Sequence, residues 1–139
     1  MNKITNKRTI TGWIFSKKKI NQVINDLEIK YPVFIKFPNI IAAHLSPVQG
    51  THDFKNSCHI IEVNPLIGKN RGSEVLWHEL CHALQVKMFP KYSDYLEAYC
   101  SAGGNFFEPG YKDNIFEIEA REFEKNHEEL CLTTYWRLK

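Results

Sequence analysis

A chain of 139 residues with 43% hydrophobic and 13% aromatic positions can bury one core but not two, so a single domain over 1–139 is expected. There is no run of about 18 apolar residues, and the polar start from Met1 to Thr11 lacks the apolar stretch of a secretion signal; both predict a soluble, cytoplasmic protein with no membrane partner. The net charge of +2 is uneven, with seven Lys/Arg against two acids over 1–30 and six against ten over 91–139, so the basic start is the one region offering itself to nucleic acid or an acidic partner.

In chain order, Ile20, Val23, Ile24 and Leu27 recur at helical spacing behind Lys17, Lys18 and Lys19, which predicts an amphipathic helix over 16–30 ended by Tyr31-Pro32. The lysines read as its solvated face, because no aromatic residues are interleaved with them as a stacking platform. Residues 33–37, 40–45 and 58–63 read as short strands separated by Pro38, Pro47 and Gly50, a small and largely antiparallel sheet. A loop over 68–72 leads to Ser73 as N-cap of a helix reaching Met88 and stopped by Pro90. A short helix over 92–100 follows, then Gly103-Gly104 and Pro109-Gly110 in a loop, and a last helix from near Asn114 to about Leu130. The fold class is α+β. Cys58, Cys81, Cys100 and Cys131 form no C-x-x-C pair and read as reduced, buried thiols.

The chemistry is concentrated in His78-Glu79-Leu80-Cys81-His82, the pattern H-E-x-x-H. Residues four apart share a helix face, so both imidazoles can aim a nitrogen at one ion, with Glu79 beside that ion and Cys81 turned away. With 6 His in the chain, chance placement yields such a string on the order of 2% of the time, and here it begins one turn into an apolar-periodic stretch, Val75, Leu76, Leu80, Ala83 and Leu84. Neutral imidazole is a good zinc ligand, and one Zn2+ held by three protein groups keeps a position for a water, which Glu79 can deprotonate. The predicted activity is therefore zinc-dependent hydrolysis of a peptide or protein substrate; a catalytically silent zinc-binding module is the alternative.

A third ligand must come from downstream, where Glu117, Glu119, Glu122, Glu124, Glu128, Glu129 and His127 all lie. Periodicity leans towards Glu119, among Ile115, Phe116 and Phe123, whereas packing favours Glu117, because Ala120 one turn on would let two helices approach closely.

His78-Glu79-Leu80-Cys81-His82-Ala83-Leu84-Gln85 followed by Asn114-Ile115-Phe116-Glu117-Ile118-Glu119-Ala120-Arg121 resembles the small gluzincin-type zinc metallopeptidases, with the helix-to-helix logic of the ImmA/IrrE-type peptidases. A secondary similarity, through the His-Glu-Leu-Cys-His-Ala string, is to SprT-like proteases, which use a third histidine; His127 is the downstream histidine here. The gluzincin resemblance implies a minimal zincin-like domain in which Glu117 is the third ligand and Ala120 the small residue of E-x-x-A/S-N/D. It also implies a sheet with an edge strand along the cleft, for which 57–63 is the natural segment, able to pair with an extended substrate. Arg121 departs from the Asn or Asp of the pattern, so another group must orient a ligand histidine, with Asp113, Asp94 and Glu124 as candidates. Of Tyr92, Tyr95, Tyr99 and Tyr111, the last is the candidate for stabilising an oxyanion, since it precedes the Glu117 helix.

Overall fold

Local signals in the sequence set most of the element boundaries in the computed structural model, which describes residues 8–125 and 128–138. Strand β1 (Arg8–Phe15) leads into helix α1 (Lys17–Asp26), whose N-cap Ser16 accepts from the Lys19 N–H through its hydroxyl. This helix buries Ile20 and Val23, as the spacing predicts, but stops four residues early because Glu28 takes a left-handed φ of 53° that a helix cannot continue through. Strand β2 (Val33–Lys36) follows as expected.

Residues 40–45, expected as a strand, are helix α2 (Ile40–Leu45). The β-branched Ile40-Ile41 pair suggested extension, but Asn39 caps the segment by accepting from the Ile41 N–H at 2.8 Å, and only Ala43 is buried. Strand β3 (Gly50–Lys55), absent from the sequence reading, joins strand β4 (Cys58–Val63) through Asn56 and Ser57. Both turn residues have positive φ, 53° and 59°, the two-residue hairpin whose twist matches its strands. The sheet order is β2-β4-β3, with β2 parallel and β3 antiparallel to β4. The expected edge strand is thereby corrected. β4 is central and buries His59, Ile61 and Val63, and the edge strands are β2 and β3.

Helix α3 (Lys69–Lys87) starts at the N-cap Gly68, so 68–72, expected as a loop, provides its first turn. Two contacts explain the difference. The Trp13 ring lies where a side chain on Gly72 would stand, 2.7 Å from the position of a Cβ, so this glycine admits the indole against the helix. Ser73 does not cap; its hydroxyl accepts from the Leu130 N–H at 2.9 Å and is tied to the segment after the last helix. Helix α4 (Tyr92–Ser101) leads through a 3-10 turn at Tyr111–Asp113 to helix α5 (Ile115–Phe123). α5 is shorter than the expected 114–130, and the chain returns instead as β5 (Cys131–Leu138), which pairs antiparallel with β1 from Phe15↔Cys131 onwards.

The core, formed by Ile20, Val23, Ile61, Val63, Val75, Leu76, Leu80 and Leu130 with Trp77, joins α1, β4 and one face of α3. Of the four thiols, Cys81 and Cys131 are buried and Cys58 half-buried, whereas Cys100 is exposed, contrary to the reading of all four as buried. No described helix is long and apolar enough to cross a membrane.

Asn114 anchors the element that carries the candidate third ligand. Fully buried, it caps α5 by accepting from the Phe116 N–H at 2.9 Å and donates to the carbonyls of Tyr99 and Gly104, each at 3.1 Å. Asn114→Ala removes a cap and strands two buried acceptors, so the free energy of unfolding, measured by urea titration, is expected to fall by about 2–4 kcal/mol.

Candidate metal centre

The motif lies on the half of α3 that faces α5. His78 and His82 stand one turn apart with ring centroids 5.0 Å apart, and Glu79 between them is 6% exposed. Ala120 has no exposed surface, and this small residue lets α5 approach α3 one turn beyond Glu117. Glu117 then reaches both rings, with His78 Nε2 facing Oε1 at 2.8 Å and His82 Nε2 facing Oε2 at 3.1 Å. The three offer one ligand atom each, all within 4.8 Å of one another, and can hold a metal ion.

The remaining polar atoms show that this donor set fits a cation. His78 Nδ1–H donates to Glu124 Oε1 at 2.8 Å, and His82 Nδ1–H donates to Gln85 Oε1 at 2.7 Å. Gln85 is itself pinned, since its Nε2 donates to the Phe116 carbonyl at 2.8 Å and to Glu119 Oε1 at 2.9 Å, which leaves Oε1 for the ring. Both imidazoles therefore turn an Nε2 lone pair on one carboxylate, an arrangement that repels itself unless protons or a metal ion lie between. Protons do this in the ion-free protein. Burial pulls the His78 imidazole down, but its bonds to Glu117 and Glu124 outweigh that and raise it to about 9. His82 is raised on the same balance. Burial would lift Glu117, yet hydrogen bonds from His78, His82 and Tyr99 hold it well below the usual carboxylate range.

The choice between Glu117 and Glu119 follows from which face of α5 is covered. Of the apolar residues that pointed to Glu119, Ile115 is 65% exposed and Phe116 and Phe123 are half-buried, while the buried positions of α5 are Glu117 and Ala120. Glu119 is exposed and bonds Gln85, outside the three-residue cluster. Of the candidates for orienting a ligand histidine, Glu124 makes that contact, while Asp94 and Asp113 are exposed. Arg121 turns away, its Nη2 donating to the Lys112 carbonyl at 2.8 Å. His127 lies outside the described residues. Sequence reasoning gave Gln85 no role and left Glu124 as one of three candidates; Gln85 sits one turn from His82 and Glu124 two turns from Glu117, the spacing at which supporting groups share a ligand's face.

A cavity of about 330 Å³ opens in front of the cluster, with Glu79 and the start of β3 on one wall. A Cβ on Gly50 would lie 2.3 Å from Val75 Cγ1 and 3.2 Å from Glu79 Oε2, so glycine is what lets the strand pass this close to the motif. Tyr95, Tyr99 and Tyr111 line the opposite side. The Tyr99 hydroxyl donates to Glu117 Oε2, and Tyr111 lines the cavity and is raised to about 12 by burial first, then by the charge of Glu117, with which it also shares a hydrogen bond. Burial also pushes Glu79 up, with the imidazoles of His82 and His78 pulling in the opposite direction. No family model, no curated protein and no solved structure matches the chain, so the reading of this site rests on its own geometry.

The pH dependence of the metal-free protein follows from these shifts. His78 is raised above its ordinary 6.5, so its contribution to stability is complete below that pH and is lost as pH climbs through about 9. Glu117 is depressed below its ordinary 4.5, so its contribution is present above that pH and fades on acidification. Thermal melts in chelator should therefore peak between about 4.5 and 6.5 and decline towards pH 9; a melting temperature constant from 6.5 to 9 contradicts the His78 assignment.

Proposed function

We propose that the chain is a zinc-dependent peptide-bond hydrolase of gluzincin-like arrangement. The observation that carries the reading is the combination of three convergent groups, His78, His82 and Glu117, with Glu79 on the wall of an open cavity edged by strand β3, which among the described residues is paired on one side only. Two imidazoles and one carboxylate suit zinc, and a set of three leaves a coordination position, whereas a structural zinc is closed by four protein ligands. Among the described residues the cluster has three members.

Zinc at this position would lower the pKa of a water to about 7 and polarise the scissile carbonyl. Glu79, buried beside the candidate ligands, would take a proton from a water held there and return it to the leaving amine. Burial raises its pKa against the pull of the neighbouring rings, which favours its accepting a proton. Strand β3 pairs with β4 on one side, and its other edge offers main-chain groups to an extended peptide laid along the cavity. Tyr111 supplies a hydroxyl to the negative charge that develops on the carbonyl oxygen, and Tyr99 holds Glu117 in place.

Protein purified without chelator is expected to carry close to one zinc per chain. Glu79→Gln should retain that zinc while peptide cleavage, followed by mass spectrometry on a mixed peptide substrate, falls by about 10²–10⁴-fold. Undiminished cleavage in Glu79→Gln would remove the general base from the mechanism. The two tyrosines separate by parameter: Tyr111→Phe is expected to lower kcat by about a hundredfold with a smaller loss of zinc affinity than Tyr99→Phe, whose hydroxyl donates to Glu117. Equal zinc loss in both variants would reassign Tyr111 to ligand support.

A further inference from the structure

We infer that Arg71 is a positioning residue for the metal ligand His78, acting through Glu124 and tied to the cleft wall through Gln49. The inference rests on reading the His78, His82 and Glu117 cluster as a metal centre. Glu124 stands just past the end of α5, where its N–H makes the last helical bond, to the Ala120 carbonyl at 3.0 Å. A side chain at this cap position has no following turn of α5 to fix it. Two partners do so instead. One oxygen accepts from His78 Nδ1 at 2.8 Å, and the other accepts from Arg71 Nη1.

Arg71 lies two turns before His78 on the same face of α3, so the guanidinium and the imidazole hold the carboxylate between them. It has two further partners: Nη1 also meets Glu74 Oε1 at 3.1 Å, and Nε donates to Gln49 Oε1 at 2.8 Å. Gln49 immediately precedes β3, and its carbonyl accepts from the Asn64 N–H at 2.8 Å, just after β4 ends. The start of the cleft-edge strand is thus linked through Gln49, Arg71 and Glu124 to the nitrogen that orients His78. A planar guanidinium can bridge these partners at fixed angles, which a lysine ammonium cannot. The Arg71 side chain is 42% exposed, so its ion pairs contribute little to folding, and their consequence lies in the placement of Glu124.

The test is a double-mutant cycle on zinc affinity, read by competition with a chromophoric zinc chelator. Glu124→Gln is expected to weaken zinc by about 10–100-fold and Arg71→Met by about tenfold, and the double variant should be no weaker than Glu124→Gln alone. Arg71→Lys should stay closer to Arg71→Met than to the unaltered protein. Glu74→Gln, which removes the other carboxylate on the same nitrogen, should stay within about twofold. Melting temperatures of the metal-free Arg71→Met and unaltered proteins should coincide. Losses that multiply in the double variant, an Arg71→Met affinity equal to that of the unaltered protein, or a Glu74→Gln loss matching Arg71→Met would each overturn the inference while leaving the zinc site standing. Failure of the unaltered protein to take up zinc overturns both.

Discussion

Two imidazole lone pairs and one carboxylate, brought together from different helices, form the constraint around which this structure is arranged. Without a positive charge between them these groups repel, and burial makes the repulsion stronger because little water is present to screen it. The ion-free protein resolves the conflict with protons, which is why His78 is held up near 9 and Glu117 well down. A divalent ion resolves it with one particle in place of two. Proton and metal therefore compete for the same nitrogens, and metal uptake must release protons across the neutral range.

Holding the three groups in register requires contacts well beyond them. Ala120 sets the separation of α3 and α5, and Asn114 fixes where α5 begins, through two carbonyls that belong to α4 and to the loop after it. Gln85 bridges the two helices, bonding His82 on one side and the Phe116 carbonyl on the other. Helix termini thus carry much of the site: Glu117 lies in the first turn of α5, Glu124 at its last cap, and Arg71 in the first turn of α3.

Local chemistry was legible in the sequence where one element sufficed. The H-E-x-x-H spacing placed His78, Glu79 and His82 because a single helix determines their relation, and the short run Cys58–Val63 was readable as β4, one face of which buries His59, Ile61 and Val63. Asn39 shows the opposite case, in which one cap converted an apolar pair read as strand into a helix. The pairing of β1 with β5 joins segments far apart in the chain, and β5 lies where periodicity suggested more helix. The candidate third ligand was undecidable from α5 alone, since Ile115, Phe116 and Phe123 suggest a buried stripe around Glu119 whereas the buried positions are Glu117 and Ala120; the covering surface comes from α3. The gluzincin resemblance pointed to Glu117 for reasons that the periodicity did not contain.

The hairpin between β3 and β4 bears most directly on what the cavity can accept. Side chains alternate along a strand, so a slip of one residue would turn Thr51 and Asp53 towards the motif in place of Gly50 and His52. The positive-φ turn at Asn56-Ser57 fixes the register that prevents this, pairing His52 with Ile61 and Phe54 with His59. A second device secures His52. A carbonyl can only accept, so His59 Nε2–H donates to the Lys30 carbonyl at 2.9 Å, His59 Nδ1 is left as an acceptor, and His52 Nε2–H donates to it at 2.9 Å. Burial lowers both imidazoles and keeps them neutral, with His82 adding to the effect on His52. The strand edge therefore brings a bare glycine and an uncharged, oriented ring beside the His78, His82 and Glu117 cluster, without adding a charge that would compete for the carboxylates.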